Sequence, residues 1–308
     1  MPRRANDKPN VVIFFTDQQR WDSMGLHGNP LDLTPNLDRV AIQGTHMAVA
    51  CTPQPVCGPA RACLQTGLYA TRLGCHRNAI QLPATARTLA HCFRDGGYAT
   101  GYIGKWHLGH TDDDAVPAER RGGYEYWLAA NCLEFCSQPY NTIMYDNDNR
   151  PVLLPGYRVD AETDAAIRYI DAHRREPFFL MVSYLEPHFQ NHVDDYPPPD
   201  GYRERYTGRW TPPDLAGLDS LGGSVAQHLG GYWGMCKRLD EAFGRLLDAL
   251  KSLRLLDNTI VVFTSDHGCH FKTRNSEYKR SCHESSIRIP MVLRGPGFDG
   301  GGHVARAV

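Results

Sequence analysis

The sequence predicts an α/β fold, a mostly parallel sheet sandwiched by helices. Three observations carry this. Short apolar, β-branched or aromatic runs stand at 10–16, 98–103, 177–184, 258–264 and 289–293. Segments with apolar residues at helical spacing separate them. Two runs end alike, in Thr16-Asp17-Gln18 and Ser265-Asp266-His267. Strands that alternate with helices build βαβ units, whose crossovers cover both sheet faces.

Residues 10–16 form a continuous apolar run, so a strand here is buried on both faces. Thr34-Pro35 reads as a helix start, with Thr34 as N-cap and Pro35 as the first helical residue. Leu37, Val40 and Ala41 give that helix an apolar face. Leu89, Cys92 and Phe93 do the same for a helix ending at Gly96-Gly97, and the strand 98–103 follows. A helix over 161–173 leads to the strand 177–184. The longest periodic segment runs from Val225 to Leu253 through Leu229, Cys236, Phe243 and Leu250. Strands at 258–264 and 289–293 close the pattern. The stretches 111–158 and 189–222 are rich in Pro, Gly, Asp and Tyr. They read as long insertions that shape a site. Residues 1–9 read as a disordered segment, which leaves 10–308 as one domain.

The chain has 308 residues and a net charge of −1, with no basic stripe. That excludes an electrostatic nucleic-acid binder. Asp112–Asp114 is the longest acidic run and reads as a solvated loop. Val11–Phe15 is too short for a signal peptide or a membrane span. As written, a cytoplasmic protein with no membrane partner is expected, or a periplasmic or secreted one if the true N-terminus lies further upstream. The ten cysteines show no Cys-x2-Cys pair and read mostly as buried reduced thiols.

In open parallel sheets, ligands bind beyond the carboxyl ends of the strands. Asp17, Gln18, Asp266 and His267 stand there as a candidate divalent-cation site. Carboxylate and amide oxygens suit a hard cation, and one imidazole moves the preference toward manganese or magnesium. Either aspartate alone reads equally well as a helix N-cap; the two matching strand ends decide for metal. Pro59 can start a helix, which places Cys57 at its N-terminus. Backbone N–H groups there favour an anion, and Arg61 adds a planar cationic fork. Lys105 and His107 follow a strand, two apart, and are expected on one side. Glu186-Pro187-His188 follows another strand.

Cys57-Gly58-Pro59-Ala60-Arg61 resembles the Cys-x-Pro-x-Arg signature of the sulfatase family, within the alkaline-phosphatase-like superfamily. Gly97–His107 resembles that family's second signature, and Glu284–Pro290 also matches. The resemblance spans roughly residues 10–298. It implies an alkaline-phosphatase-like sheet and hydrolysis of a sulfate ester, on a sulfated carbohydrate or an aryl sulfate. In that family the cysteine is oxidised to formylglycine (3-oxoalanine), whose hydrate is the nucleophile. A formylglycine-generating maturation enzyme is therefore an implied partner.

By the resemblance, Asp17, Gln18, Asp266 and His267 hold one divalent metal together with modified Cys57. Ca2+ is expected first, with Mg2+ or Mn2+ as alternatives. Arg61 and Lys105 offset charge, His107 contacts sulfate oxygens, and His188 and Lys279 meet the leaving group. His283 stands where the family often has an aromatic residue and is a candidate substrate contact. Many members carry Asp at the position of Gln18 and Asn at that of His267. The Gln/His version resembles a branch that includes phosphonate monoester and phosphodiester hydrolases, which gives the alternative activity. Members usually continue past the position of Val308, so a C-terminal subdomain is expected to be missing. A truncated, inactive protein that binds sulfated ligands is the alternative of another class.

Overall fold

Apolar side chains alternate along the central strands, and both sets are buried. Val12 and Phe14 of the first strand face one core, while Val11, Ile13 and Phe15 face the other. A strand covered on both faces needs neighbours on both edges and helices above and below. The structure, a computed structural model, describes residues 8–109, 114–218 and 225–305. In chain order its strands are β1 (Asn10–Thr16), β2 (Thr45–Met47), β3 (Ala50–Cys51), β4 (Ala99–Lys105), β5 (Tyr126–Ala130) and β6 (Thr142–Tyr145). They continue with β7 (Pro151–Leu154), β8 (Phe178–Ser183), β9 (Thr259–Ser265), β10 (Arg288–Ile289), β11 (Met291–Arg294) and β12 (His303–Ala305).

Among the described residues, ten strands form one sheet in the order β12-β2-β11-β9-β1-β8-β4-β5-β6-β7, while β3 and β10 pair separately. Its centre, β9-β1-β8-β4-β5, is parallel throughout. Antiparallel pairs flank it, β11 against β9 on one side and β6 against β5 on the other. The mostly parallel sheet between helices is thus the architecture expected from the sequence. One core packs the helices Pro35–Gln43, Arg158–Ala172 and the C-terminal half of Val225–Ser252 on the sheet. The other packs Cys57–Thr66 and Leu89–Asp95 on the opposite face.

Several elements differ from expectation. The stretch 111–158 is only partly an insertion, because it supplies β5, β6 and β7. Tyr126-Trp-Leu-Ala-Ala130 is short and ends in alanines, which are weak strand formers, and this hides β5. The run 289–293 is broken at Pro290, which has no N–H for a ladder. Ile289 pairs with β3, and Met291–Arg294 runs antiparallel to β9. The helix at Pro35 begins where expected, but Thr34 does not cap it. The Asp240 carboxylate of the long helix accepts from the Asn36 and Leu37 amides at 3.1 and 2.8 Å instead.

The helix Val225–Ser252 has 28 residues. At 1.5 Å per residue it is about 42 Å long, whereas a seven-residue strand spans about 23 Å. The helix therefore overhangs the sheet. Residues from 189–218 pack on the overhang, where Tyr196, Tyr206 and Leu215 meet Leu229, Tyr232 and Trp233 in a third cluster. Residues 219–222 of that expected insertion, residues 112 and 113 of the acidic run and residues 1–7 of the N-terminal segment lie outside the described residues. No described helix is long and apolar enough to cross a membrane.

Phe14 is fully buried and contacts Tyr184, Phe243 and Phe263 at ring-centroid distances of 4.4, 5.3 and 5.1 Å. It ties β1 to β8, β9 and the long helix. Phe14→Ala is expected to cost about 3–5 kcal/mol of stability, read as a lower midpoint in urea denaturation with unchanged slope.

Candidate active site

Five adjacent parallel strands end at one edge of the sheet, and each delivers a polar side chain. In register, Thr16 faces Ser265, Gly104 faces Ser183 and Lys105 faces Ala130. Asp17 and Gln18 therefore emerge beside Asp266 and His267, with Lys105 and the segment after β5 next in line. Close strand approach is needed here. A Cβ on Gly104, which has φ 104°, would run into the Ser183 carbonyl. Gln18 and His107 also hold left-handed backbone, at φ 69° and 57°. Strained non-glycine residues on both sides of the site are the kind of cost that a packed surround sustains.

The Asp17 carboxylate is the centre of the arrangement. It is fully buried and accepts from Lys105 Nζ at 2.7 Å and Arg61 at 2.9 Å. Burial and Cys57 push its carboxyl up, but Lys105, His188 and Arg61 outweigh them and hold it below the usual carboxylate range. Arg61 also donates to the Lys105 carbonyl and Ser183 Oγ at 2.8 and 2.7 Å, so one guanidinium ties three strand ends together.

Cys57 is the first residue of the helix Cys57–Thr66, as Pro59 suggests, and is buried. Its Sγ lies 3.4 Å from Asp17 Oδ1 and 3.2 Å from His267 Nε2, and accepts from Lys279 Nζ at 2.8 Å. Burial alone would raise the thiol; Lys105, Lys279 and His267 hold it well below the ordinary thiol value. Lys279 also sits 2.9 Å from His188 Nε2. Burial and that ammonium push the His188 imidazole down, which favours its neutral form.

Asp17, Cys57, Asp266 and His267 each present a ligand atom within 4.8 Å of the others. His267 Nδ1 is 2.9 Å from the Gly268 carbonyl, which fixes Nδ1 as the donor. Nε2 then faces Asp17 and Asp266 at 3.5 Å each. Burial and Asp17 push the Asp266 carboxyl up to about 6. Burial lowers His267, but Asp266 and Cys57 together outweigh it, so His267 is raised. The pocket thus favours a proton where a cation would sit. Asp266 Oδ2 lies 3.3 Å from Arg61 Nε, within ion-pair distance but without hydrogen-bond alignment. Gln18 donates from Nε2 to Tyr196 Oη at 2.9 Å, which leaves its buried Oε1 without a partner. Two carboxylates, an imidazole and a free amide oxygen fit a divalent cation.

Cys57, His107, His188 and Lys279 line a cavity of about 460 Å³, together with Asn78 and Glu134. Lys105 is buried beneath it. Lys105 and His107 do reach one neighbour, Glu134, but strand alternation is not the reason. The strand ends at Lys105, and His107 turns through its left-handed backbone. His283 is not brought to Cys57. It is exposed and lines a different cavity with Trp21, Trp210 and Arg274. Residues 276–280 line the Cys57 cavity, so this loop separates the two. Sequence reasoning missed Glu134, whose carboxylate lies 2.8 Å from Lys105 Nζ, and missed Tyr196 and Cys269 beside Gln18. Its only signal was position just after an unrecognised strand.

The sheet edge thus brings a helix N-terminus at Cys57 together with four residues that could hold a metal ion. A family model described as Sulfatase matches residues 9–299. The chain belongs to the sulfatase family. It is 35% identical over 303 residues to the ulvan-active sulfatase of Formosa agariphila, covering 95% of this chain and 57% of that protein. The chain thus spans little more than half the length of that relative. The solved yidJ structure from Bacteroides fragilis superposes with a TM-score of 0.86 at 29% identity, covering all of this chain and 73% of that one. The phosphonate monoester hydrolase of Agrobacterium radiobacter shares the fold, with a TM-score of 0.74 at 23% identity over 97% of this chain and 70% of that one.

In the unmodified chain, a small alkylating reagent should consume Cys57 at a pH where exposed Cys51, Cys92 and Cys282 remain mostly unreacted. Lys279→Met removes the cation nearest the sulfur and is expected to move the Cys57 reaction profile to higher pH. Peptide mass spectrometry across a pH series reads both outcomes.

Proposed function

We propose that the protein hydrolyses sulfate esters at Cys57, with a sulfated carbohydrate as the preferred class and aryl sulfates as simpler substrates. The observation that carries this reading is the buried cation group around one helix N-terminus. Lys279 lies 2.8 Å from Cys57 Sγ, and Lys105 and Arg61 stand behind it on Asp17. A sulfate monoester is anionic and resists nucleophiles, so a pocket of fixed cations lowers the barrier to sulfuryl transfer. Formylglycine formed from Cys57 by a maturation enzyme, and a divalent cation held by Asp17, Gln18, Asp266 and His267, would supply the nucleophile and further positive charge. Ca2+ is the first choice for that cation, with Mg2+ and Mn2+ next.

The remaining steps belong to this chain's own side chains. Lys105 and His107 fix the sulfate oxygens. Asp266, with its raised carboxyl, accepts a proton from position 57. Lys279 and His188 form one hydrogen-bonded pair and hand a proton to the leaving oxygen. The ulvan-active relative supports a sulfated polysaccharide as the source of the ester. A second reading is hydrolysis of phosphonate monoesters or phosphodiesters. The neutral Gln18 oxygen and His267 in the cation site favour it, as does the shared fold with a phosphonate monoester hydrolase.

The test is a substrate panel on protein produced with a formylglycine-generating enzyme, with conversion of the Cys57 peptide checked by mass spectrometry. Sulfated oligosaccharides and aryl sulfates should be hydrolysed faster than aryl phosphonates and phosphodiesters; the reverse order would replace the first reading by the second. Cys57→Ala should lower turnover by orders of magnitude, and near-full activity in it would remove the nucleophile assignment. Chelation should abolish turnover, with Ca2+ restoring it better than Mg2+ or Mn2+.

A further inference from the structure

Beside the cation site lies a second group of potential ligands, His107, Cys132 and Glu134, all buried and within 4.8 Å of one another. Its chemistry differs from the first group. The Glu134 carboxylate already holds the Lys105 ammonium at 2.8 Å. A second metal there would meet that fixed positive charge at short range. The Cys132 thiol is also pushed above its ordinary value, first by burial and then by Glu134, which opposes the thiolate a metal would need. This group therefore reads as a support for Lys105 and His107 rather than a metal centre.

The geometry is specific. Lys105 Nζ lies between two carboxylates, Asp17 Oδ2 at 2.7 Å and Glu134 Oε1 at 2.8 Å. His107 Nδ1 is 3.7 Å from the same Glu134 oxygen and has no hydrogen-bond partner among the described residues. Glu134 is 2% exposed, and its second oxygen is likewise unpartnered. A buried carboxylate is costly unless paired, so its place is set by the Lys105 ammonium, with the His107 ring beside the same oxygen. Asp17 Oδ2 is already shared between Lys105 and Arg61, and Glu134 gives Lys105 a second counter-charge.

We infer that Glu134 is a positioning residue for sulfate-ester hydrolysis. It holds the Lys105 ammonium against the pull of Asp17 and orients the His107 ring toward the Cys57 cavity. This rests on the proposed function for its catalytic consequence, but not for its structural one. The role is carried by charge and reach together. Gln at 134 keeps the shape and loses the charge, whereas Asp keeps the charge and shortens the reach.

The experiment compares Glu134→Gln and Glu134→Asp in the matured full chain, alone and with Lys105→Ala. Glu134→Gln should lower kcat about 10- to 100-fold with KM changed less than about threefold. Glu134→Asp should recover part of the loss. In the Lys105→Ala background the Gln substitution should cost little more, because its main partner is gone. A second readout needs no turnover. With Nζ-labelled lysine, the doubly paired Lys105 ammonium should give a slowly exchanging 1H–15N signal, assigned with Lys105→Arg. That signal should shift or vanish in Glu134→Gln and persist in Glu134→Asp. An unchanged ammonium signal in Glu134→Gln overturns the inference, as does turnover within twofold of wild type. If the wild type cleaves no ester in the panel, the sulfatase reading fails by itself, and the ammonium signal alone decides for or against Glu134.

Discussion

Everything at this sheet edge is organised around one buried carboxylate. Asp17 has no exposure, so its charge must be met by the protein. Arg61 and Lys105 meet it, and both then have further work to do. Arg61 fastens to the ends of β4 and β8. Lys105 fastens to the segment after β5 through Glu134. One carboxylate thus fixes the ends of four strands relative to each other. The other Asp17 oxygen, Oδ1, faces the Cys57 sulfur and the His267 ring. The same group that stabilises the scaffold therefore also aims at the reactive position. Replacing it would leave Lys105 with Glu134 alone and Arg61 with Asp266 alone as counter-charge, which is costlier than the loss of one contact.

The parallel register makes this possible. Side chains at the ends of β9, β1, β8, β4 and β5 appear in spatial order although they are scattered in sequence. Antiparallel neighbours would alternate strand ends with strand starts and break the row. The switch to antiparallel pairing falls outside it, at β11 and β6. The helix Cys57–Thr66 begins at the same edge, where its first residue brings Sγ beside Asp17 and His267 and its Gly58 amide donates to Asn78 Oδ1 at 3.0 Å.

The central strands, the long helix and the two polar pairs at strand ends were legible in the sequence because each depends on a local pattern. Asn10–Thr16 and Thr259–Ser265 are continuous apolar runs, and their polar residues follow directly. Glu134 was not legible. Its partner Lys105 lies on another strand, and β5 between them is short and alanine-rich. His283 looked like a site residue because of its place in a motif. The loop ahead of it carries Lys279 into the cavity and leaves His283 on the other side. The capping of the helix Pro35–Gln43 by Asp240 is another case, since a side chain from the long helix replaced the local Thr34 signal. Local patterns name elements and their ends, whereas these three outcomes depend on which distant segment arrives beside them.

Gln18 shows how the overhanging layer reaches the chemistry. An amide can turn either its oxygen or its NH2 toward the two aspartates, and only the oxygen suits a cation. Tyr196 Oη accepts from Nε2 at 2.9 Å, with Cys269 Sγ at 3.5 Å on the same side. Tyr196 is held edge-on by Tyr232 and Tyr278. Tyr232 in turn donates to the Gln18 carbonyl at 2.8 Å and accepts from the Arg20 amide at 2.7 Å. The segment 189–218 and the overhang of the long helix thus set the amide's orientation and its unusual backbone together. A carboxylate at position 18 would need no such orientation, since both its oxygens can bind a cation. The neutral residue lowers the negative charge at the site by one and makes its geometry depend on this aromatic cluster instead.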